Sequence, residues 1–311
     1  MSDATNETNV PGPGVHRDVP ADEYYAWPLP SNSLLGHLAR SPLHCRHALD
    51  HPAAPTPDMR FGTAFHSLVL EPADHARRYV RAGRCSGVLK SGKRAGLQCE
   101  SDGTVHHGGA WFCGTHAGDR RNDPGGPEVL GEDDAATLGD MAAAVAAHPW
   151  AGAALALPGM TEVSIVFDDR ASGVRCKMRA DRIVQGDRLR CVIDLKTARD
   201  ASPDAFARTI HERGYHRQAA LYLRGCAAAG IDVDGYAIVA VDKEPPHATA
   251  VYQLDDQDLQ AGGDEVDRLL ALYAECAASG RWPGYGDGVT PIRLPAWARR
   301  RAGADAEHVM A

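Results

Sequence analysis

The sequence predicts a mixed α/β domain, on three observations. Segments with apolar residues at helical spacing lie on both sides of residues 161–197; within those residues the apolar period shortens to that of strands; and helices and strands alternate from there to about residue 279. With 311 residues, 44% hydrophobic and 24% charged, the chain can bury a sizeable core, which excludes a disordered or fibrous protein.

Residues 1–28 are polar and Pro/Gly-rich, with PGPG at 11–14, and read as a disordered tail with too little apolar surface to offset ordering entropy. From Ser31, SNSLLGHLARSPLHCRHAL predicts a helix with a Ser/Asn start and apolar residues at 34, 35 and 38. After the Pro-rich link HPAAPTP, MRFGTAFHSLVLEP predicts a second helix that Pro72 ends. Residues 83–118 hold nine glycines and few large apolar side chains, so they cannot build a core of their own. Glu132 to Ala147 is a third helix with an Ala-rich face. TEVSIVF, GVRCKMRADRIV and RLRCVIDLKT then form a three-strand meander, separated by Gly/Asp-containing breaks. PDAFARTIHERG and YHRQAALYLRGCAAAG are helices, followed by strands near 235–242 and 249–254 and a long helix from about Asp255 to Ser279. The sequence has no internal repeat.

No apolar run approaches the ~18 residues of a membrane span, and MSDATNETNV lacks the basic and apolar regions of a secretory signal. A soluble, unexported, cytoplasmic protein is expected. Eight irregularly spaced cysteines in so long a chain point to reduced thiols or metal ligands rather than a disulfide scaffold. A net charge of −8 argues against holding nucleic acid by bulk electrostatics alone, but it is compatible with a nucleic-acid enzyme whose carboxylates bind metal.

The most informative segment is RADRIVQGDRLRCVIDLKT, residues 179–197. A two-residue type II′ turn at Gly186-Asp187 sets Asp181 opposite Val192. Asp194 and Lys196 then share the face of Val192, and Asp181 and Asp194 become diagonal neighbours at roughly 7–8 Å. A slip of one residue would turn Asp181 to the other face. The flanks Cys191, Val192, Ile193 and Leu195 suit a buried strand, where carboxylate and ammonium groups need partners. Two readings follow: a structural Asp–Lys ion pair beside a surface Asp, or carboxylates that hold Mg²⁺ while Lys196 positions or helps deprotonate a water. His66 is equally two-sided. It lies at the margin of the helix face made by Phe61, Ala64, Phe65 and Leu68, a place for a hydrogen-bonded core histidine or a ligand.

RAD at 179–181 followed by DLK at 194–196 resembles the signature of the PD-(D/E)xK nucleases. The wider chain is similar to their exonuclease VIII (RecE-type) branch, found in phages and prophages. SNSLLGHLARSPLHCRHAL, FGTAFHSLVLEP, TEVSIVF, CKMRADRI, VIDLKTARDASPDAFARTIHERGYHRQAALYL and IRLPAWA fall in that family's order and cover most of residues 31–298. The resemblance implies a restriction-endonuclease-like fold, a mixed central sheet flanked by helices, over residues 29–298. Position by position it implies that His66, Asp181, Asp194 and the backbone carbonyl of Leu195 ligate metal, and that Lys196 activates the water. Gln218 and Tyr222, i and i+4 on one helix face, would reach the substrate phosphate or the water, with Glu162 at the edge of the site. Mg²⁺ is the implied ion, and Mn²⁺ suits the same ligands. RAD lacks the proline of the family name, a residue that shapes backbone and carries no ligand atom.

Residues 83–118 are an insertion relative to that family's usual pattern. They contain Cys85, Cys99, Cys113 and His116, a set suited to tetrahedral Cys₃His zinc, where metal supplies the missing folding energy. The bland reading is a long loop with free thiols, and His106 or His107 could replace a ligand. Between Arg77 and Arg94 stand seven basic residues and no acidic one. Beside a nuclease site, Arg77, Arg78, Arg81, Lys90, Lys93 and Arg94 read as a strip for DNA phosphates, the alternative being a solvated charge run. Tyr79, Trp111 and Phe112 are available for stacking. Arg299, Arg300 and Arg301 are a weaker candidate within a flexible C-terminal tail, 299–311. GVLKSGKR at 87–94 is nearly a phosphate-binding loop, but Arg94 stands where Ser or Thr must bind Mg²⁺, so ATP binding is set aside. Cys45 and Cys276 alone lie in regions suited to an iron–sulfur cluster, which is set aside too; Cys176, Cys191 and Cys226 read as small buried residues.

The resemblance therefore implies a Mg²⁺-dependent, ATP-independent DNA exonuclease. It would degrade the 5′ strand from double-stranded DNA ends and leave 3′ single strands for a single-strand annealing recombinase. A homo-oligomer encircling DNA is expected, with no membrane partner. A structure- or sequence-selective endonuclease or single-strand nuclease of the same fold is the second reading. A non-catalytic DNA-end-binding module is the third, and the presence of Asp181, Asp194 and Lys196 argues against it.

Overall fold

The computed structural model describes residues 10–120, 122 and 126–294. The chain begins with β1 (Gly14–His16) and α1 (Ala21–Ala26), then α2 (Asn32–Arg40), α3 (Pro42–Asp50), α4 (Pro57–Leu70), α5 (Pro72–Arg78) and β2 (Tyr79–Arg81). The Cys/His-rich insertion supplies β3 (Val105–His107), β4 (Ala110–Phe112) and α6 (Gly114–Ala117), and β5 (Glu128–Leu130) then returns to pair with β2. The rest runs α7 (Glu132–Ala147), α8 (Pro149–Ala156), β6 (Gly159–Asp168), β7 (Arg175–Gln185), β8 (Arg190–Ala198), α9 (Pro203–Arg213), α10 (Tyr215–Ala228), β9 (Gly235–Asp242), β10 (Thr249–Gln253) and α11 (Asp256–Ser279).

The central sheet has the order β1-β6-β7-β8-β9-β10, with β8 and β9 parallel and every other pair antiparallel. A parallel pair needs a long crossover, which α9 and α10 provide. Each face of the sheet is covered. Val192, Ile238 and Ala240 pack with Leu35 and Leu38 of α2, Leu221 of α10 and Leu269 of α11. Ile193, Leu195, Val239 and Val241 pack on the other side with Phe65 of α4, Met141 of α7 and Ala151 of α8. This is the mixed, helix-flanked sheet that the sequence predicts. Among the described residues no helix is long and apolar enough to cross a membrane.

Three expectations are corrected. Of the expected disordered tail, the described part is built into the fold: β1 pairs with the edge of β6, and Tyr24 and Trp27 are buried against Val166. Lys177 Nζ donates to the carbonyls of Tyr24 and Trp27, both at 2.7 Å. Composition averages over the segment, whereas two aromatics and a free sheet edge supply local burial that no average reveals. Residues 1–9, the tail at 299–311 and Arg299, Arg300 and Arg301 lie outside the described residues. Secondly, the helix expected from Ser31 is two helices. Ser41 ends α2 and caps α3, accepting from His44 N–H, because Pro42 has no N–H and disfavours helical backbone at the residue before it. Likewise Pro72 ends α4 and starts α5.

The third correction concerns register. The β7–β8 connection is a four-residue loop, Gly186 to Leu189, closed by the Gly186 N–H on Leu189 O at 2.9 Å. Ile183, not Asp181, therefore faces Val192. A shift of two residues keeps each side chain on its face where the ladder is regular, from Arg182 to Gln185. The longer loop brings Asp181 from diagonal to opposite Asp194.

Candidate active site

The site lies where the central sheet forks. Pairing between β7 and β8 runs from Gln185–Arg190 to Arg182–Ile193 and stops, so the strands part at Asp181 and Asp194. The β6–β7 ladder is interrupted at the same level: Thr161 faces Arg182 and Val163 faces Ala180, but Glu162 and Asp181 between them are unpaired. Glu162 has φ +47°, in the left-handed region that costs a side-chain-bearing residue about 1–3 kcal/mol. Alternation also breaks here. Cys176, Met178 and Ala180 share a core with Ile183, and Met160 shares it with Val163, so each strand skips one residue at this level. The interruption frees two carboxylates from the pleat and aims them into one opening.

His66 of α4 meets them there. Its Nδ1 lies 3.5 Å from Asp181 Oδ2 and 4.0 Å from Glu162 Oε1. One donor atom from each of His66, Glu162 and Asp181 lies within 4.8 Å of the others. Asp181 Oδ2 also accepts the Leu195 backbone N–H at 2.8 Å, and Arg179 Nε donates to Glu162 Oε2 at 2.8 Å. Asp194, on the far prong, takes the Gln218 amide of α10 on Oδ1 at 2.7 Å and the Lys196 ammonium beside Oδ2 at 2.5 Å. Lys196 in turn lies 4.9 Å above the Tyr215 ring. Tyr222, one turn beyond Gln218, is buried with its ring 6.1 Å from Tyr236.

Charge is unevenly distributed across the fork. Burial pushes the Asp194 carboxyl up against the pull of Lys196; burial also opposes charge on Asp181, but the charges of His66 and Lys196 with the hydrogen bonds from His66 and Leu195 together hold it down. Burial also raises Glu162, and the Asp181 charge adds to it. Burial alone would lower Lys196, but Asp194 and Asp181 keep it firmly protonated. Its ammonium is thus a hydrogen-bond donor at the fork. Burial opposes charge on His66 as well, but Asp181 and Glu162 prevail and raise its pKa to about 9. A folded-state pKa above the ordinary 6.5 means stabilisation that is complete below pH 6.5 and lost as pH rises through about 9. In chelator-treated protein that loss should be on the order of 3 kcal/mol. Urea midpoints across this range should fall for the wild type and stay nearly level for His66→Gln; equal slopes would remove His66 from the cluster.

The insertion assembles a second group. Ligand atoms of Cys85, Cys99, Cys113 and His116 lie within 4.8 Å of one another. His116 Nδ1 is 3.4 Å from Cys85 Sγ and 3.3 Å from Cys113 Sγ, and the sulfurs of Cys99 and Cys113 are 3.9 Å apart. A tetrahedral ion with metal–sulfur and metal–nitrogen lengths of ~2.3 and ~2.0 Å spaces its ligands about 3.5–3.8 Å apart, which these distances approximate. The N–H groups of Gly87 and Cys113 both point at Cys85 Sγ from 3.3 Å. Burial opposes it, but hydrogen bonds from His116 bring the Cys113 thiol down to about 6. A Cβ on Gly87 would sit 2.3 Å from the His116 ring, so glycine is required for the close approach. His106 stacks near Trp111 at 4.6 Å, and neither it nor His107 belongs to the cluster.

The basic strip is largely neutralised. Arg77 and Arg78 pair with Asp74 at 2.9 and 3.5 Å, and Arg81 and Arg94 with Glu132 and Glu100, both at 2.5 Å. Lys90 and Lys93 have no carboxylate partner among the described residues. The run contains no acid in sequence, but folding lays acids from α5, α7 and the insertion against it. Arg179, Tyr215 and Tyr236 were not singled out by sequence reasoning; Arg179 adjoins the RAD signature and Tyr215 opens the helix of Gln218, so proximity in sequence was the available signal.

A family model described as a PDDEXK-like domain of unknown function (DUF3799) matches residues 31–295. A crystal structure from Eubacterium rectale described as a "putative exonuclease" aligns over 93% of this chain and 100% of its own, with TM-score 0.54 and 11% identity. A crystal structure of SSO0001 aligns over 37% of this chain and 50% of its own, with TM-score 0.25 and 19% identity. No curated protein matches the chain.

Proposed function

From the premise that this chain belongs to the PDDEXK-like family described as DUF3799, we propose that it is a divalent-metal-dependent deoxyribonuclease acting on duplex ends. One observation carries the reading: a forked sheet converges His66, Glu162 and Asp181 beside a buried Asp194–Lys196 pair. The E. rectale protein's description as an exonuclease points the same way. Oxygen donors with one imidazole suit Mg²⁺ or Mn²⁺. Asp194 Oδ2 fits that role too, since it is buried and receives no well-aligned hydrogen bond. His66, Asp181, Glu162, Asp194 and the Leu195 carbonyl would hold the ion. Such an ion lowers the pKa of an attacking water and offsets charge on the departing oxygen. The protonated Lys196 orients that water and donates toward the phosphate, held in place by Asp194 and by the Tyr215 ring. Gln218 fixes the Asp194 carboxylate, and Tyr222 packs behind it. Catalysis needs no ATP. The 5′→3′ direction, 3′ single-strand product, annealing partner and ring-like homo-oligomer follow the RecE-type resemblance and belong to the same proposal.

The insertion is proposed to bind one structural Zn²⁺ through Cys85, Cys99, Cys113 and His116. Softness and count of the donors support zinc over Mg²⁺ there. Lys90 and Lys93, the uncompensated part of the strip, are its proposed phosphate contacts.

The test is digestion of end-labelled linear duplex with Mg²⁺ and no ATP. Label released from 5′ ends, with a covalently closed plasmid left intact, is the expected result. Cutting of the closed plasmid would establish the endonuclease reading, and binding of ends without digestion the non-catalytic one.

A further inference from the structure

The N-terminal segment is fastened to the strand that carries Asp181. The backbone N–H of Lys177 donates to Pro30 O at 2.8 Å, and its ammonium gathers the carbonyls of Tyr24, Tyr25 and Trp27 at 2.7, 3.4 and 2.7 Å. Two residues on, Arg179 donates through Nη1 to Val19 O at 2.9 Å while its Nε holds Glu162. One guanidinium thus joins the segment to the candidate metal cluster. The same Arg179 lies 5.7 Å from the centre of the buried Tyr24 ring, and that ring braces Tyr25 at 5.4 Å with the planes 69° apart. Tyr25 itself is 70% exposed, with its backbone carbonyl held toward the Lys177 ammonium. The rings of Tyr25 and Tyr24, the Arg179 guanidinium and the Glu162 carboxylate thus follow one another from the surface to the candidate metal cluster.

We infer that Tyr25 is a substrate-positioning residue, its exposed ring stacking on a nucleobase next to the scissile phosphodiester. This deepens the deoxyribonuclease reading and rests on it. A base presents an apolar face whatever its identity, so an aromatic platform suits an enzyme that must accept every sequence at a DNA end. The carbonyl clamp on Lys177 limits the motion of the platform before DNA arrives, which reduces the ordering cost of binding.

The probe is a blunt DNA duplex carrying 2-aminopurine at its ends. Binding and quenching are read with Ca²⁺ in place of Mg²⁺, and digestion with Mg²⁺. For Tyr25→Ala the expected result is about tenfold weaker binding, loss of the protein-induced quenching and a KM raised about tenfold with kcat nearly unchanged. Tyr25→Phe, which keeps the ring, should restore all three, and Lys177→Met should weaken binding although Tyr25 is present. Wild-type quenching and KM in Tyr25→Ala would overturn the platform, as would Tyr25→Phe behaving like Tyr25→Ala. Should the wild type bind with Tyr25-dependent quenching but digest no DNA, the nuclease reading fails and the platform stands. Normal digestion indifferent to Tyr25 has the opposite meaning, and a wild type that neither binds nor digests DNA overturns both.

Discussion

Alanine in place of Asp194 or Lys196 should lower Mg²⁺-dependent digestion of linear duplex at least about a thousandfold, since each removes a group proposed to hold the ion or the water in the transition state. The two positions should differ in stability. Asp194 has a side chain 2% exposed, against 17% for Lys196. Replacing Lys196 strands a buried carboxylate, and breaking such a pair costs on the order of 3–5 kcal/mol. Burial already pushes that carboxyl up, so it will protonate in the variant and recover part of the loss. Replacing Asp194 leaves an ammonium that can still reach water and rest on Tyr215, a smaller penalty. The double variant Asp194→Asn/Lys196→Met should accordingly be more stable than Lys196→Met alone. Urea denaturation gives the order, and the digestion assay gives the activity. Wild-type digestion by either single variant would remove the pair from the chemistry.

Cys113→Ser should abolish metal binding by the insertion. Metal analysis of the wild type is expected to give one equivalent of zinc, and of the variant none. Of the four ligands Cys113 is the best choice, because its sulfur lies near both Cys99 Sγ and His116 Nδ1 and its N–H reaches Cys85 Sγ. The cluster Cys85, Cys99 and Cys113 is joined by the partly buried Leu89 and little else, far less apolar area than a folded piece of this length needs. Zinc binding in small domains is worth about 10–16 kcal/mol, which would make the proposed ion the main source of local order. Limited proteolysis should cut the variant between residues 83 and 118 while the central sheet resists, because β6–β10 belong to two separate cores. Zinc retained at one equivalent in the variant, or uniform proteolysis of both proteins, would contradict the assignment.

Much of the fold was legible because periodicity is local. The strands holding Ile165, Met178 and Ile193 show period two, and α10 and α11 show period 3.6, without any knowledge of their neighbours. Alternation placed Asp194 and Lys196 on one side of β8, whereas Asp181 reaches them at a break in the alternation of β7 that no period reveals. The N-terminal segment was not legible. Its burial depends on the free edge of β6 and on Lys177, some 150 residues away. The ion pairs along the basic strip were not legible for the same reason, since Arg81 and Glu132 are neighbours only in space.

By itself the sequence determined which residue types exist to do chemistry: a hairpin with two acids and a lysine, a helical histidine, and a glycine-rich piece with three cysteines and a histidine. Only the tertiary structure decided how they meet. It brought Glu162 level with Asp181 through a break in two strands, turned α4 so that His66 faces them, and tied the N-terminal segment to Glu162 through Arg179. The physical reason is that side-chain identity and strand alternation are encoded residue by residue, whereas the gap between β7 and β8 results from sheet, helices and N-terminal segment packing together.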